Sequence, residues 1–421
     1  MKEKAKKDHK GPEGLRGIGF IDKKLLVTFD SAPFDIIDGD RGKNYPKQNE
    51  FSESGYCLFL NATNVTRNGF DFSRCQFISE QKDDILRKGK LQRDDIVLTT
   101  RGTIGNVAFL NSSVPYDHIR INSGMVIFRC EKDKILPAYL YHFLRSPQFH
   151  KQVNSLRSGV AQPQLPIRDI KRIKMPIPEL SIQQSISDIL SAYDELIENN
   201  RRRIQLLEKA ARLLYKEWFV HFRFPGHEHV KIKNGLPEGW ERKRLREIAE
   251  IIMGQSPKSK YYNEEGVGLP FHQGVTNFGF RFPTHKTYCT VKVRIAEPGD
   301  ILLSVRAPVG RINITLDKIV IGRGLSAIRS RCGQQNFLFY SLKNHFFKEN
   351  IMGRGAIFAA ITKKDLHDVE ILQPPDTLIE MFQEQVVPID HQIANLYRMI
   401  EHLVKARDLL LPRLMNGEIA V

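Results

Sequence analysis

Cysteine is scarce in this sequence: Cys57, Cys75, Cys130, Cys289 and Cys332 are the five among 421 residues, with no Cys-x-x-Cys or Cys/His ligand spacing. That excludes a disulfide framework and a zinc ribbon, and it suits free thiols in a reducing compartment. Long apolar runs are lacking too. No segment supplies 18 uninterrupted apolar residues, and the opening MKEKAKKDHKGPEG is charged from its second residue. Neither a membrane span nor a secretory signal is predicted, so the expected location is the cytoplasm. Catalytic signatures are absent: there is no GxxxxGK[ST] phosphate loop, no HExxH and no GxGxxG. Gln373-Pro374-Pro375-Asp376 lacks the leading Asn or Asp and the trailing aromatic of the adenine-methyltransferase motif. His227-Glu228-His229 has i, i+2 spacing without further ligands and reads as solvated loop, so no metal site is expected.

Acid is in short supply relative to base. Lys and Arg number 64 against 48 Asp and Glu, a formal net charge of +16, which favours a polyanionic partner over a neutral one. Hydrophobic residues at 41% and charged residues at 27% are a globular composition, and the length is that of two or more domains.

What is present in abundance is self-similarity. From Ile182 the apolar positions Ile186, Leu190, Tyr193, Ile197, Ile204, Leu207, Ala211, Leu214 and Trp218 mostly alternate spacings of three and four, the mark of a helix with one apolar seam. Phe382, Val386, Ile389, Ile393, Leu396, Ile400, Leu403, Leu410 and Leu414 repeat the ladder, Phe382 answering Ile186 and Leu414 answering Trp218, both at an offset of 196. About 35 helical residues span roughly 50 Å, too long for one small domain to cover, so the two seams are expected to cover each other. Pro388 has no counterpart at Ala192 and predicts a break or kink.

Upstream of each helix the likeness continues with unequal loops. Arg93-Asp94-Asp95-Ile96-Val97-Leu98-Thr99-Thr100-Arg101-Gly102-Thr103-Ile104-Gly105 answers Pro298-Gly299-Asp300-Ile301-Leu302-Leu303-Ser304-Val305-Arg306-Ala307-Pro308-Val309-Gly310. Each reads as a buried strand opened by an aspartate and ending in a polar turn whose glycine permits the bend. Ile121-Asn122-Ser123-Gly124 answers Ile321-Gly322-Arg323-Gly324, and short apolar strands around Phe128 and Ile328 follow. Pro176-Ile177-Pro178 and Gln373-Pro374-Pro375 then lead into the helices. The best boundary is the linker Phe224-Pro225-Gly226-His227-Glu228-His229.

These residues resemble the specificity subunits of type I restriction-modification systems. The marks are Pro237-Glu238-Gly239-Trp240, the run Glu247-Ile248-Ala249-Glu250-Ile251-Ile252-Met253-Gly254-Gln255-Ser256-Pro257, Gly299 to Leu303, and Leu411-Pro412-Arg413-Leu414-Met415-Asn416-Gly417-Glu418-Ile419. The first half lacks the Pro-x-Gly-Trp entry, and Asp35 to Gly42 matches the Gly-Gln-Ser-Pro loop only loosely. The resemblance implies an α+β tandem repeat with pseudo-twofold symmetry. Two α/β target-recognition domains, 1–178 and 236–375, alternate with helical regions 179–222 and 376–421 that pair as an antiparallel coiled coil, with 223–235 as linker. It implies a non-catalytic reader of a bipartite, asymmetric duplex DNA site, with the helices as a ruler for the spacer. Two adenine-methyltransferase subunits would dock on it and restriction subunits would join through them, while S-adenosylmethionine and ATP bind on those partners and no cofactor on this chain. Two other classes stay open: a self-contained methyltransferase or nuclease of a fused restriction system, and a coiled-coil nucleic-acid-binding structural protein.

Reading duplex DNA needs cations against phosphate and planar or amide side chains against base edges. Loop candidates in the first domain are Lys43, Asn61, Thr63, Asn64, Arg67, Arg101, Thr103, Arg157 and Gln162; in the second they are Gln255, Ser256, Lys258, His272, Gln273, Thr276, Asn277, Arg306 and Arg354. For any one of them a solvated or capping role is the competing reading. Arg101 and Arg306 follow apolar strands at matching places, and for them a buried ion pair with a neighbouring carboxylate is the alternative. Leu196 and Leu206 on the first helix, and Met399 and Leu409 on the second, lie off the main seam and are the candidate anchors for a methyltransferase subunit; the alternative is a widened packed stripe.

Overall fold

The computed structural model of the chain describes residues 26–156, 164–346 and 360–421. Arg157, Gln162 and Arg354 of the candidate DNA contacts lie outside the described residues. The chain divides into two compact units, one made of the residues through Glu198 together with Ile400–Val421, the other of Asn199–Met399. Each unit holds one copy of the repeat and about half of each long helix. Those helices are Leu180–Phe219 and Asp376–Met415, both 40 residues, and their starts (376 minus 180) and ends (415 minus 219) keep the offset of 196.

In the first unit a four-stranded antiparallel sheet has the spatial order Phe34–Asp38, Met125–Cys130, Ile96–Thr99, Val107–Phe109. The strand Ile96–Thr99 is buried on both faces, which is why it reads as a continuous apolar run rather than an alternation. Ile96 and Leu98 face a core of Phe29, Phe34, Phe128, Phe143 and Phe149, whereas Val97 faces Leu58 and Leu60 of a second sheet. That second sheet pairs Cys57–Leu60 antiparallel with Phe77–Ile78 and parallel with Ile119–Ile121. A short ribbon of Leu26–Thr28 against Lys174–Pro176 closes the unit.

The second unit repeats this plan. Its four-stranded sheet runs Ala249–Met253, Leu325–Ser330, Ile301–Ser304, Ile312–Ile314. Ile301 and Leu303 face an aromatic core that includes Phe337 and Phe382, whereas Leu302 faces Ile319 and Ile321. The parallel pairing recurs between Leu269–His272 and Ile319–Ile321, and Glu241–Arg244 against Glu370–Gln373 answers the short ribbon.

The apolar seams are covered by two surfaces rather than one. In the first unit Ile186 and Leu190 share a core with Leu411, Leu414 and Met415, and that core also contains Phe29, Phe34, Phe128, Phe143 and Phe149 beside the four-stranded sheet. In the second, Ala211, Tyr215, Trp218 and Phe219 pack with Leu378, Phe382 and Val386 around Phe337 and Tyr340. Within each unit the helix halves run antiparallel. The break expected at Pro388 does not occur: the helix is continuous from Asp376 to Met415. Pro388 is exposed, so the carbonyl one turn earlier can turn to solvent, while Val386 and Asp390 on either side are buried and held by packing. Among the described residues no helix is long and apolar enough to cross a membrane, and the five cysteines are unpaired.

Candidate nucleic-acid interface

Antiparallel pairing brings several loops to one end of each four-stranded sheet. In the second unit Met253 lies opposite Ser326, and Ser304 opposite Leu325, so the segments after Ala249–Met253 and Ile301–Ser304 meet the segment before Leu325–Ser330. The tip Gly322-Arg323-Gly324 is clamped there. Gln255 N–H donates to the Ile321 carbonyl, Gly254 N–H to Leu325, Gly322 N–H to His272, and Gly324 N–H to Gln273. Ile361 N–H donates to the Val305 carbonyl and Arg306 bridges Ala360, which adds a further segment. The first unit builds the same corner from Asp38-Gly39, Leu60-Asn61, Thr100-Arg101, Asn122 to Gly124 and Gln164-Leu165. A shallow cavity of about 230 Å³ there is lined by Asp38, Arg41, Thr100, Arg101 and Gln164 among others.

The candidate residues divide between this corner and other roles. Gln255, Ser256, Gln273 and Arg306 converge in the second unit, and Asn61, Thr63 and Arg101 in the first. Arg101 and Arg306 are both exposed, and the buried carboxylates Asp95 and Asp300 pair instead with the partly exposed Arg129 and Arg329, at 2.7 Å each. Lys43, Lys258 and Thr276 are exposed on neighbouring loops and Asn277 is half-buried. Arg67 and Thr103 line a different cleft, with His142, Arg145, His150 and Arg407.

Two candidates are corrected. Asn64 is buried; its amide donates to the carbonyls of Asp71 and Arg74, and its oxygen accepts from Asn61 N–H, so it is saturated by scaffold. Asn61 and Thr63 belong to the same cap, with Asn61 Oδ1 accepting from Thr63 N–H and Oγ1–H. Sequence spacing held that signal, since Asn-x-x-Asn is a reciprocal cap.

His272 is the second correction, at 2% exposure. Asp317 Oδ2 lies 3.1 Å from His285 Nε2, and a carboxylate only accepts, so that nitrogen carries the proton. His272 Nε2 and His285 Nδ1 lie 2.9 Å apart and share one hydrogen bond, and among the described residues the buried His272 Nδ1 has no partner. Burial, reinforced by His285, lowers the His272 pKa from 6.5 to about 4. The folded state thus favours the neutral ring, and stability is complete above pH 6.5 and falls as the pH drops toward 4. Relative to a His272→Asn variant, unfolding in urea at pH 7.5 and pH 5 should show an extra loss of about 2 kcal/mol at the lower pH. Equal losses in both proteins would contradict a neutral buried ring.

Missed by sequence reasoning were Arg323 and Arg41. Arg323 is exposed at the tip between two glycines. Arg41 donates to Asp38 and to the Ser123 carbonyl, and so ties two of the converging loops together.

Buried charge ties the globular part of each unit to its helix halves. In the first unit Asp194 accepts from Arg145 and from Arg407 at 2.6 Å. Burial raises the Asp194 pKa, but the two arginines outweigh it and keep the carboxyl below its ordinary range. In the second unit Arg281 bridges Glu208 of the first long helix and, at 2.7 Å, Asp390 of the second. Burial opposes charge on Arg281, yet Asp390, Tyr340 and Glu208 hold its pKa above the usual value. Off the seams, Leu206 and Met399 of the second unit are 60% and 51% exposed, and Leu196 and Leu409 of the first are 50% and 65% exposed.

A profile of the type I restriction modification DNA specificity domain matches residues 34–209 and 237–397. The chain is 34% identical over 381 residues to the MjaX specificity subunit of a type I restriction enzyme assigned in Methanocaldococcus jannaschii, covering 85% of this chain and 89% of that protein. It is 23% identical over 459 residues to the HindI specificity subunit of Haemophilus influenzae, covering 90% and 98%. The crystal structure of a type I restriction-modification S subunit from M. genitalium shares the fold, with a TM-score of 0.57, 16% identity, and coverage of 94% of this chain and 97% of that one.

Proposed function

The chain belongs to the type I restriction modification DNA specificity family, a family of recognition subunits rather than catalysts, and from that premise we propose that each unit reads one half of a bipartite, asymmetric duplex site. The observation that carries this reading is the repeated corner. In both units the polar loops of one sheet end converge, with an exposed arginine after the central strand, Arg101 or Arg306. Arginines and amides on crossing loops suit the base edges of the major groove, and the neighbouring lysines suit phosphate. Methyl transfer then falls to partner subunits, which bring S-adenosylmethionine, and any cleavage to further subunits that use ATP. The half-exposed leucines and methionine outside the seams are the anchors we assign to the methyltransferase subunits, since large apolar side chains at this exposure on a helix are contact material.

The test is mapping of modified adenines in the host genome, followed by exchange of residues 1 to 175 for those of a relative with another target. One half of the methylated motif should change while the other stays. A change in both halves would defeat the assignment of one half-site per unit. On the same complexes, Leu206→Glu with Met399→Glu should remove one methyltransferase copy from the purified assembly, and retention of both copies would displace the docking surface from this face.

A further inference from the structure

The converging loops of the second unit differ in chemistry from those of the first. Gly254 to Lys258, His272 to Asn277, Val305 to Ala307 and Gly322 to Gly324 contain Lys258, Arg306 and Arg323 and no carboxylate. The first unit places Asp38 and Asp40 at the equivalent corner and commits Arg41 to Asp38 and to a carbonyl. Arg306 and Arg323 are exposed, and among the described residues neither guanidinium has a hydrogen-bond or ion-pair partner. The Gln273 amide at this corner is oriented. Arg323 N–H donates to Ser256 Oγ at 3.2 Å, and the Ser256 hydroxyl donates to Gln273 Oε1 at 2.7 Å. The Gln273 side chain lies over Gly322, where a Cβ would come within 2.7 Å of its oxygen. With Oε1 turned onto the protein, Nε2 is the end left to meet a ligand.

The corner therefore offers donors: two guanidinium forks and an amide N–H. We propose that the second unit reads guanine, with Arg306 and Arg323 each taking the N7 and O6 acceptors of a guanine in the major groove and Gln273 donating beside them. Adenine offers a donor next to its N7 and cytosine offers a donor alone, so an all-donor surface fits guanine best. Ser256 acts as a positioning residue: it touches no base and sets which end of Gln273 faces the groove. This inference rests on the reading that these loops meet base edges.

The experiment uses the full complex with its methyltransferase subunits. Methylated motifs are mapped for the unaltered protein and for Arg306→Gln, Arg323→Gln and Ser256→Ala. Binding is then measured on duplexes carrying 7-deazaguanine, which lacks the N7 acceptor, at single positions. Each arginine variant should relax preference at one G·C pair, with discrimination there falling roughly 5- to 150-fold. For the unaltered protein 7-deazaguanine at that pair should weaken binding about tenfold, and for the matching variant it should change nothing further. Ser256→Ala should relax preference at one position while thermal stability stays close to that of the unaltered protein. The proposal is overturned if the relaxed pairs are A·T. It is equally overturned if affinity falls alike on every sequence with a shallower salt dependence, which marks a phosphate contact. Unchanged preference and affinity in both half-sites for Arg306→Gln, Arg323→Gln and Gln273→Ala together would instead remove these loops from the reading surface, and the broader functional reading would fall with them.

Discussion

Replacing Arg281 by alanine should cost the second unit about 3–5 kcal/mol, the range for breaking a buried charge cluster by removing one partner. Arg281 is 2% exposed, and among the described residues its guanidinium is the only group that pairs with both Glu208 and Asp390. Lys343 would still reach Glu208 at 2.8 Å, and Tyr340 and Asn336 would still donate to Asp390, but neither donor carries charge. Asp390 would be left buried and without its cationic partner. Lysine is a poor substitute because one ammonium cannot bridge two carboxylates while stacking on the Phe339 ring, 4.5 Å away. Urea unfolding should show an early transition that Arg281→Ala with Asp390→Asn partly reverses. A loss below about 1 kcal/mol would mean that water enters the cluster and that it is not a dry anchor.

The cluster also marks a boundary of what the sequence discloses. The existence and mutual register of the helices were legible, since the ladder of apolar positions repeats at an offset of 196 and so do the helices Leu180–Phe219 and Asp376–Met415, but their ends were not, nor was the continuity of the second through Pro388. The central strands were legible because burial on both faces leaves Ile96 to Leu98 and Ile301 to Leu303 without a polar position. Asp194 and Asp390 stand at the same offset and serve the same purpose, yet their cations come from different places in the fold, Arg145 and Arg407 for one and Arg281 for the other. Spacing cannot reveal such partners, because tertiary contact between distant segments creates them.

The corner of converging loops was legible in part for a related reason. Residue type separates loop from core well, but it does not separate an asparagine that caps from one that reads, and Asn64 proved to be a cap. His272 ends a buried strand, Leu269–His272, and a ring at its last position points inward or outward according to the pleat, which a four-residue strand does not disclose. Pro388 misled in the other direction. A proline on the solvent side of a helix whose other side is clamped by Val386 and Asp390 costs less than one in isolation, so packing overrode the local rule.

The match that looked loosest in sequence proves to be a shared requirement, and it carries the other large expected effect. A Cβ on Gly254 would stand 2.1 Å from the Gly322 carbonyl oxygen, and one on Gly39 would stand 2.3 Å from the Asn122 carbonyl oxygen. Both glycines follow the edge strand of the four-stranded sheet directly, and both let the incoming loop lie flat against the tip of its unit. The flanking residues differ, Asp38 and Asp40 in one case and Met253 and Gln255 in the other, so side-chain comparison conceals an identical backbone constraint. Gly254→Val must push the tip 322–324 away and carry Arg323, Ser256 and Gln273 with it, at a stability cost of about 1–3 kcal/mol for overpacking. If Arg323 and Gln273 each make a base contact worth about 1–3 kcal/mol, losing both should lower affinity for the natural site roughly 30-fold or more and abolish its methylation. Gly39→Val should do the same through the first unit. Circular dichroism should remain helical in both variants, because neither glycine contacts the long helices. Binding within a few-fold of the unaltered protein by either variant would show that its corner reads DNA without the closed tip, and the convergence of these loops would then be a feature of the scaffold alone.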